Sequence, residues 1–528
     1  MPLDDDIAII PSPQSIERTG GRFVLAPGAT IGARGPGARG VAELLAGYLR
    51  PATGYGLPVG AEGTITLVAE GEAQYDDAGF ADESYRLTVA DASVEIGAKN
   101  AAGLARGVQT LRQLFADEIF ESGTHTGREW DAHTVVIEDA PRFRWRGMHL
   151  DVGRHTFSVE QVCRMIDLFA LHRFNTVHLH LTEDQGWRIE IKKYPRLTEV
   201  GSVRPCTMIG HWRDRPVRFT TEPYGGFFTQ DDIKRIVAFA AERHVTVVPE
   251  IDMPGHMQSA VASYPELGNL PAQLGPRLVW GISDHVLNPR PKTLQFLKDV
   301  FGEVMDLFPS RFIHIGGDEV PRREWEVSRY AQERMAELGL KNEREIQGWF
   351  NREMGAFINE CGRRLVGWDE ILECPLPENA TVMSWRGEKG GIQAANMGLD
   401  VVMAPGSHTY FDHYQAEPIS DEPLAIGGYL PTEKVYAYEP MPAEVAADKR
   451  HHILGAQAQL WTEYIPTAEH LEYMAFPRAC ALAEVVWLDA EKKNYTEFLR
   501  RMVEHRRRLE AMDVNSHPRP YGGALEHA

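Results

Sequence analysis

The sequence predicts an α/β protein: a (β/α)8 TIM barrel preceded by a smaller α+β domain. Three observations support this fold class. From Gly147 onward, short apolar runs alternate with amphipathic stretches; these runs number eight; and the residues before them follow a different pattern. Parallel strands buried on both faces form continuous apolar runs, and alternating strands and helices are typical of βαβ units. Eight units in sequence fit a closed barrel.

Residues 1–140 form the predicted N-terminal α+β domain. Residues 64–70 (TITLVAE) and 84–98 (SYRLTVADASVEIGA) alternate apolar and polar positions, which predicts half-buried strands. Residues 101–115 (AAGLARGVQTLRQLF) have helical apolar spacing. These segments together predict a small sheet packed against helix.

Residues 141–490 form the predicted barrel. Helical stretches such as VEQVCRMIDLFALH and PKTLQFLKDVFGEVMDLF lie between most of its strands. The predicted strands, in chain order, are GMHLDVGR, TVHLHLTED, VTVVPEID, FIHIGGDE, RLVGWDE, TVMSWRG, DVVMAPGS and HILGAQAQLWTE.

Two segments depart from the repeating pattern. Residues 410–447 are too long for a simple connection, and we expect them to cover the barrel mouth. Residues 491–528 form a predicted C-terminal tail that is charged and helical and then ends in a Pro/Gly-rich stretch.

Composition and charge exclude several classes of partner. Hydrophobic residues make up 43% of the 528 residues and charged residues 25%, as in ordinary globular proteins. The net charge is -20 and no basic cluster occurs, which argues against nucleic acid and anionic membranes as main partners. The sequence says nothing about the oligomeric state.

The cysteines and the N-terminus predict a cytoplasmic location. The five cysteines are scattered and form no CxxC pair, a usage that fits a reducing compartment. The start, MPLDDDIAIIPSP, is acidic and lacks the basic and apolar regions of a secretory signal. A protein whose signal had been removed would have the same start, and it would then be secreted.

In a barrel of this type, functional groups come from the C-terminal ends of the strands. Carboxylates, an arginine and indoles at these ends predict a sugar pocket, because carboxylates accept from hydroxyls and flat rings pack on sugar C–H faces. A carboxylic acid of raised pKa can also protonate a glycosidic oxygen. The strand ends supply Asp151, Arg154, Glu183, Asp184, Glu250, Asp252, Asp318, Glu319, Trp368, Asp369, Glu370, Trp385, Trp461 and Glu463.

Each of these residues also has a structural interpretation. A single carboxylate at a strand end is most often a helix cap or an ion-pair partner, and a lone Trp is usually packed in the core. Asp369 and Glu370 fit such a role, and Asp151 can pair with Arg154. The adjacent pair Asp318–Glu319 is harder to explain this way, because like charges side by side cost energy unless they are used.

A second hypothesis concerns the histidines. His178 and His180 lie two apart on a predicted strand and face the same side, as the HxH pair does in amidohydrolase-like metal enzymes. Together with His256, His314 and an aspartate they could form a zinc centre. However, His149, His178 or His180, and His314 precede the strand ends by several residues, and we therefore prefer buried, hydrogen-bonded core histidines.

The order of motifs carries a family resemblance. HIGGDE followed by GWDEI, SWRG and LWTE resembles the β-N-acetylhexosaminidases of glycoside hydrolase family 20. GMHLDVGRH, HLHLTEDQGWRIEI, EIDMPGH and ALAEVVW are also similar to motifs of that family. The match runs from about Gly147 to Trp487. The N-terminal unit is similar in size and pattern to the α/β domain that precedes the family's barrel.

The resemblance implies roles for three catalytic residues. Glu319 would be the general acid that protonates the leaving oxygen and then the base that activates water. Asp318 would accept the N–H of the substrate's 2-acetamido group, orient the group and balance the charge of an oxazolinium-like intermediate. Tyr410 would donate to the acetamido oxygen.

Binding and supporting roles follow in the same way. Arg154 would grip the 3- and 4-hydroxyls, Asp412 a neighbouring hydroxyl, and Glu463 the 4- or 6-hydroxyl. Trp368, Trp385 and Trp461 would wall the pocket. Asp184 and His256 resemble a pair that supports the acid/base, with Asp252 nearby. Here the chain has Glu183–Asp184 where many relatives have two aspartates, so either carboxylate remains a candidate.

The predicted function is exo-acting, retaining hydrolysis of terminal, non-reducing β-linked GlcNAc or GalNAc by substrate-assisted catalysis. The expected ligand is a small carbohydrate, and no metal or organic cofactor is implied. A catalytically inactive sugar-binding barrel and a metal-dependent amidohydrolase are the alternatives. The sequence leaves open the natural oligosaccharide, its linkage and the choice between GlcNAc and GalNAc.

Overall fold

The computed structural model describes residues 7–518. The first six residues of the acidic start and most of the predicted Pro/Gly-rich end, residues 519–528, lie outside the described residues. Among the described helices, none is both long enough and apolar enough to cross a membrane. All five cysteines carry free thiols.

The N-terminal part is a seven-stranded mixed sheet covered by helices. Both predicted strand segments are present, and the second forms a hairpin whose first strand has every other residue buried. Helices Ala38–Thr53 and Ala101–Arg112 pack against the sheet. In spatial order the strands are Ser15–Leu25, Trp130–Asp139, Tyr85–Ala90, Ser93–Ala98, Ile65–Ala69, Ile31–Arg34 and Val59–Gly60.

A closed barrel of eight parallel strands follows, which confirms the predicted fold class. Its strands coincide with the eight apolar runs of the sequence, and the last strand pairs with the first to close the ring. In chain order they are Trp145–Asp151, Thr176–His180, Thr246–Glu250, Phe312–His314, Arg364–Trp368, Thr381–Ser384, Asp400–Met403 and Ile453–Ala458.

Helices connect the barrel strands and bury their apolar faces against them. Ser158 and Thr229 each begin a helix with a capping box, in which a side-chain oxygen satisfies a free backbone N–H of the first turn. The principal helices are Val159–Leu171, Gln230–Glu242, Pro291–Leu307, Arg329–Glu337, Arg344–Glu360, Lys389–Asn396, Ala468–Ala475 and Arg478–Trp487. Shorter helices span Arg196–Glu199, Gln258–Ser263, Arg323–Val327, Gly406–Thr409 and Thr432–Tyr436.

The long segment after the seventh strand is tied to the barrel top. Tyr410 pairs with Gln459 next to the last strand. The fully buried guanidinium of Arg478 donates to the carbonyl oxygens of His413 at 2.9 Å and Leu430 at 3.2 Å, so this irregular backbone is fixed without a strand or long helix. The predicted helical tail is present as helix Tyr495–Ala511.

One buried carboxylate joins the N-terminal domain to the barrel. Glu83, beside the sheet hairpin, contacts the guanidinium of Arg106 at 2.6 Å and that of Arg146 in the first barrel strand. Asn175, just before the second strand, donates to it at 3.1 Å. Although burial alone would raise the pKa of Glu83, the two arginines hold it below its usual value. The carboxylate is therefore charged and fully compensated.

Glu83→Gln should destabilise the protein strongly, because it leaves two buried guanidinium groups without their counter-ion. We expect a loss of ~3–5 kcal/mol in the free energy of unfolding, measured by urea titration. The matched control is Glu138→Gln, whose exposed partner Arg86 lies 2.6 Å away; its cost should stay below ~1 kcal/mol. Equal effects of the two changes would contradict the role of Glu83.

Candidate active site

A strained turn presents the carboxylate pair at the barrel mouth. Gly316 and Gly317 follow the fourth strand with φ of 68° and 96°, a region that disfavours side chains. The N–H of Gly317 donates to Asp252 Oδ1 at 3.0 Å, and a Cβ on Gly316 would lie 1.7 Å from the same oxygen. The turn therefore needs both glycines, and it places Asp318 and Glu319 above the fourth strand.

His256 lies beneath the pair and reaches both carboxylates. Its Nε2 is 3.5 Å from Glu319 Oε2 and 3.7 Å from Asp318 Oδ2. The side chain of Glu319 is 37% exposed and that of Asp318 only 13%, so the two neighbours face different surroundings. His256 and Glu319 both adopt positive φ, 50° and 49°, a conformation that non-glycine residues hold mainly at functional sites.

Burial and charge shift the titration of this group. Burial raises the pKa of Asp318 to about 6, with His256 opposing the rise and Glu319 adding to it. Burial and the nearby Asp318 raise the pKa of Asp252 well above its usual value. Oxygens of Asp252 and Asp318 lie within 4.8 Å of each other, and like charges at this distance favour a neutral Asp252 beside an ionised Asp318.

Both carboxylates that the sequence left open lie against His256. Its Nδ1 is 2.6 Å from Glu183 Oε1 and 3.4 Å from Asp184 Oδ2, and both carboxylates are fully buried. The opposing burial is outweighed by Glu183, which raises the pKa of His256 well above its usual value. The geometry thus makes Glu183 the nearer partner of an imidazolium.

Arg154 forms the opposite side of the pocket. Its Nη1 is 3.3 Å from Asp151 Oδ2, while Nη2 is 3.3 Å from Glu183 and 3.9 Å from Glu463. Asp412 is buried nearby; burial and Glu463 raise its pKa well above the usual range. The sequence analysis named Asp151 among the strand-end carboxylates and as a possible partner of Arg154, and the structure contains this pair.

Aromatic rings line the space between these groups. The rings of Trp368 and Trp461 lie 5.8 Å apart at 45°, and those of Trp385 and Tyr410 are stacked at 6.1 Å. The Arg154 guanidinium lies 5.0 Å from the centre of the Trp461 ring. The predicted catalytic, binding and supporting residues therefore come together at one end of the barrel. Trp385, Tyr410 and Trp461 are partly exposed there, whereas Trp368, predicted as a wall, is buried.

Glu370 holds one indole of the site in place. Its Oε2 accepts the N–H of Trp385 at 2.9 Å, and burial and Asp318 raise its pKa to about 8. This contact is compatible with the structural role that the sequence analysis considered for Glu370. Asp369 also has a structural contact, since its Oδ1 lies 2.8 Å from Arg386 Nε.

Glu250 does not belong to the ring of carboxylates at the mouth. It is fully buried inside the barrel, where it contacts His178 Nε2 at 3.0 Å and His180 Nδ1 at 2.5 Å. His256 lies beneath the carboxylate pair, whereas His149, His178, His180 and His314 lie in the core, as the sequence analysis preferred. Their hydrogen bonding is less complete than expected: within residues 7–518, neither ring nitrogen of His149 has a partner.

Comparisons with known proteins agree with this site. Residues 143–490 match the catalytic domain of glycosyl hydrolase family 20, and residues 6–140 match domain 2 of that family. A β-hexosaminidase of Porphyromonas gingivalis is 42% identical over 99% of this chain and 66% of its own length. A β-hexosaminidase of Vibrio furnissii is 36% identical over 90% of this chain and 76% of its own length.

Solved structures give the same result. The exo-β-N-acetylglucosaminidase of Vibrio harveyi, in complex with N-acetylglucosamine, superposes with a TM-score of 0.84 at 32% identity, over 98% of this chain and 80% of that one. A mutant β-hexosaminidase of Streptomyces plicatus in complex with GlcNAc superposes with a TM-score of 0.83 at 33% identity, over 98% of each chain.

A (β/α)8 barrel whose mouth gathers carboxylates, an arginine and indole walls defines a glycoside hydrolase. The chain belongs to glycosyl hydrolase family 20, in which retaining, substrate-assisted hydrolysis is characteristic. The relatives do not favour an inactive sugar-binding barrel or a metal-dependent amidohydrolase.

The pH dependence of kcat/KM should report the titration of Asp318. If the reaction needs this carboxylate ionised, kcat/KM should fall about tenfold per unit as pH decreases below about 6. The proton that the leaving oxygen requires gives a separate loss of kcat/KM at alkaline pH. The measurement is initial rates with an aryl glycoside between pH 4 and 9, with a stability check at each pH. A constant kcat/KM down to pH 4.5 would contradict the assignment.

Proposed function

We propose that the chain removes terminal, non-reducing β-linked GlcNAc or GalNAc, using the substrate's own 2-acetamido oxygen as nucleophile. The observation that carries the proposal is the position of Asp318 and Glu319, which are adjacent in sequence and both lie within 4 Å of His256 Nε2, at 3.7 Å and 3.5 Å. Two carboxylates on one turn can address two different atoms of the same sugar. Glycosidases with a protein nucleophile instead place their two carboxyls on opposite sides of the anomeric carbon.

The first step opens the glycosidic bond. Glu319 gives its proton to the leaving oxygen while the acetamido oxygen attacks the anomeric carbon, which yields an oxazolinium intermediate and a free aglycone alcohol. Asp318 accepts the acetamido N–H and balances the positive charge of the intermediate. The Tyr410 hydroxyl belongs to a partly buried side chain that interacts electrostatically with Asp318 and Glu319, and it donates to the acetamido oxygen.

The second step restores the enzyme. Glu319, now a carboxylate, takes a proton from water, and the resulting hydroxide attacks the anomeric carbon from the side that the aglycone has left. The bond to the acetamido oxygen breaks, and the product keeps its β configuration. Two inversions at one carbon therefore give net retention, without a covalent bond to the protein.

Unsatisfied polar atoms in the pocket support binding of a hydroxyl-rich ligand. Buried polar atoms normally have partners, and those that lack one in an open site are available to a ligand. Within residues 7–518, the buried atoms without a hydrogen-bond partner include Arg154 Nε, Asp252 Oδ2, His256 Nε2, Asp318 Oδ1 and Asp412 Oδ1. A guanidinium and a carboxylate here fit pairs of sugar hydroxyls, with Glu463 beside them.

We also propose a reducing compartment for the protein, supported by its five unpaired cysteines, of which one is exposed.

Hydrolysis should depend on the 2-acetamido group. An aryl β-glucoside without it should react at least ~1000-fold more slowly in kcat/KM than the matching GlcNAc glycoside, because an intramolecular nucleophile is lost. The measurement is a kinetic panel of aryl sugars with the same leaving group, including GalNAc. Comparable values of kcat/KM on the glucoside and the GlcNAc glycoside would contradict the proposed mechanism.

Glu319→Gln should separate substrates by leaving group. Poor leaving groups need protonation and should lose ~100-fold or more in kcat, whereas activated aryl glycosides should lose less. Asp318→Asn serves as the contrast and should slow both, since orientation and charge balance fail together. Equal losses on both substrates for Glu319→Gln would contradict its role as the acid.

A further inference from the structure

Two histidines and a cysteine from three helices meet among the helices that surround the barrel. His172 ends the first helix of the barrel, Cys480 lies in its last helix, and His505 lies in the C-terminal helix. One ring nitrogen of each histidine and the sulfur all lie within 4.8 Å of one another. All three side chains are almost completely buried. Imidazole and thiolate groups are typical ligands of transition metals, so the cluster has the chemistry of a metal site.

The orientation of one ring fits a metal ligand. Nδ1 of His172 lies 2.6 Å from the carbonyl oxygen of Leu168, and a carbonyl oxygen only accepts, so Nδ1 carries the proton. Nε2 of His172 therefore presents its lone pair to the cluster, at 2.8 Å from Nε2 of His505 and 3.3 Å from Sγ of Cys480. Histidines that bind metals commonly donate their other N–H to a backbone carbonyl in this way.

Hydrogen bonds alone do not satisfy the cluster. The lone pair of His172 Nε2 can accept one proton, yet both the His505 ring and the Cys480 thiol lie against it. If His505 donates from Nε2, its Nδ1 becomes an acceptor, and within residues 7–518 this atom has no partner. Buried polar atoms without partners are uncommon. A cation between the three groups engages both imidazole lone pairs and the sulfur at once.

The spacing requires only a small movement of the ligands. With metal–nitrogen bonds of ~2.0 Å and a metal–sulfur bond of ~2.3 Å at trigonal angles, the two nitrogens lie ~3.5 Å apart and the sulfur ~3.7 Å from each. From the observed 2.8 Å and 3.3 Å, each ligand moves by roughly 0.4 Å. Rotation of the side chains within their staggered wells supplies displacements of this size.

The number and type of ligands favour Cu⁺ over Zn²⁺. Structural zinc sites are almost always tetrahedral, with four protein ligands. Within the described part of the chain, this cluster supplies three donors, from His172, Cys480 and His505. A soft thiolate selects soft ions such as Cu⁺, and imidazole also suits copper. A three-coordinate site of two nitrogens and one sulfur therefore fits Cu⁺.

The charges around the cluster favour the same ion. Arg173 and Arg508 place positive charge beside the two imidazoles. Glu484, an acid that faces the sulfur, is already paired with Arg501 at 2.5 Å. With one thiolate, Cu⁺ forms a neutral complex, whereas Zn²⁺ leaves a net positive charge. An uncompensated charge in a fully buried site is costly, so the monovalent ion is the better occupant.

We propose that His172, Cys480 and His505 form a binding site for one Cu⁺ ion, which joins the C-terminal helix to the barrel. On binding, the thiol loses its proton and the sulfur binds as thiolate, so one proton is released per ion. The inference goes beyond the proposed function. His172 precedes the start of the second strand, whereas the sugar pocket lies at the other end of the strands.

The experiment makes Cys480 the only thiol of the chain. A background variant carries Cys163→Ser, Cys206→Ser, Cys361→Ser and Cys374→Ser, which removes four of the five cysteines. The chelator-treated protein is titrated anaerobically with Cu⁺, kept reduced by ascorbate, in competition with bicinchoninate. It should bind one equivalent per chain, and equimolar Zn²⁺ should not displace it. Cu⁺ should also raise the unfolding temperature, because the ion binds only the folded chain.

Single changes in this background then remove one ligand each. Cys480→Ser, His172→Gln and His505→Gln should each weaken Cu⁺ binding at least ~100-fold, beyond the usual loss for an outer partner of a ligand. His451→Gln is the matched control, since His451 is exposed, and it should keep the affinity. Unfolding temperatures without copper show which variants are folded. If one histidine variant does not fold, the other and Cys480→Ser decide the outcome.

X-ray absorption at the copper edge reports the ligands directly. One sulfur and two imidazole nitrogens are expected, whereas two sulfurs would mean that copper links two chains and would overturn the proposal. The proposal also fails if Cys480→Ser still binds one equivalent with unchanged affinity, or if Zn²⁺ binds more tightly than Cu⁺. None of these measurements uses turnover, so their outcome is independent of the proposed hydrolysis.

Discussion

The positive charge of the His256 ring offsets the repulsion between the adjacent carboxylates of Asp318 and Glu319. Asp318 and Glu319 follow one another on a turn whose glycines leave the backbone no alternative path, and other acids surround them. This gathering of acidic groups is electrostatically unfavourable by itself. His256, within 4 Å of both, supplies the opposite charge that makes it stable. The rest of the site follows from the need to keep that ring charged and in place inside a buried environment, where ionised groups are costly unless paired.

Further pairs of opposite charge continue from His256 into the barrel core, through Glu183 and His180 to Glu250. An isolated buried ion pair gains little, but a chain of alternating charges lets each group compensate two others. Here the chain ends at Glu250, whose Oε1 accepts the indole N–H of the buried Trp368. The wall on the other side uses the same device, with Glu370 bound to Trp385. Carboxylates therefore fix the aromatic surfaces on which a sugar would lie.

The fold and much of the site could be predicted from the sequence, for a physical reason. Strands buried on both faces must be apolar, so all eight barrel strands were visible as apolar runs, and the polar residues that end them marked the mouth. Glu250 was misplaced because a strand-end carboxylate looks the same in sequence whether its side chain points into the core or into the pocket. Only the barrel register, which sets Glu250 beside His180 and His314, shows that this side chain lies in the core. The choice between Glu183 and Asp184 was open because the two acids are adjacent in sequence, and only the distances to His256 Nδ1, 2.6 Å and 3.4 Å, show which is nearer.

The carboxylate that joins the two domains has a consequence for how this enzyme can be handled. Glu83 belongs to the sheet, yet it neutralises an arginine of the first barrel strand. A barrel cut away from its neighbour would begin with an uncompensated cation at its base and open backbone carbonyls beside it. Catalytic barrels can therefore be exchanged between N-terminal domains without loss of stability only where the new domain supplies an equivalent acid.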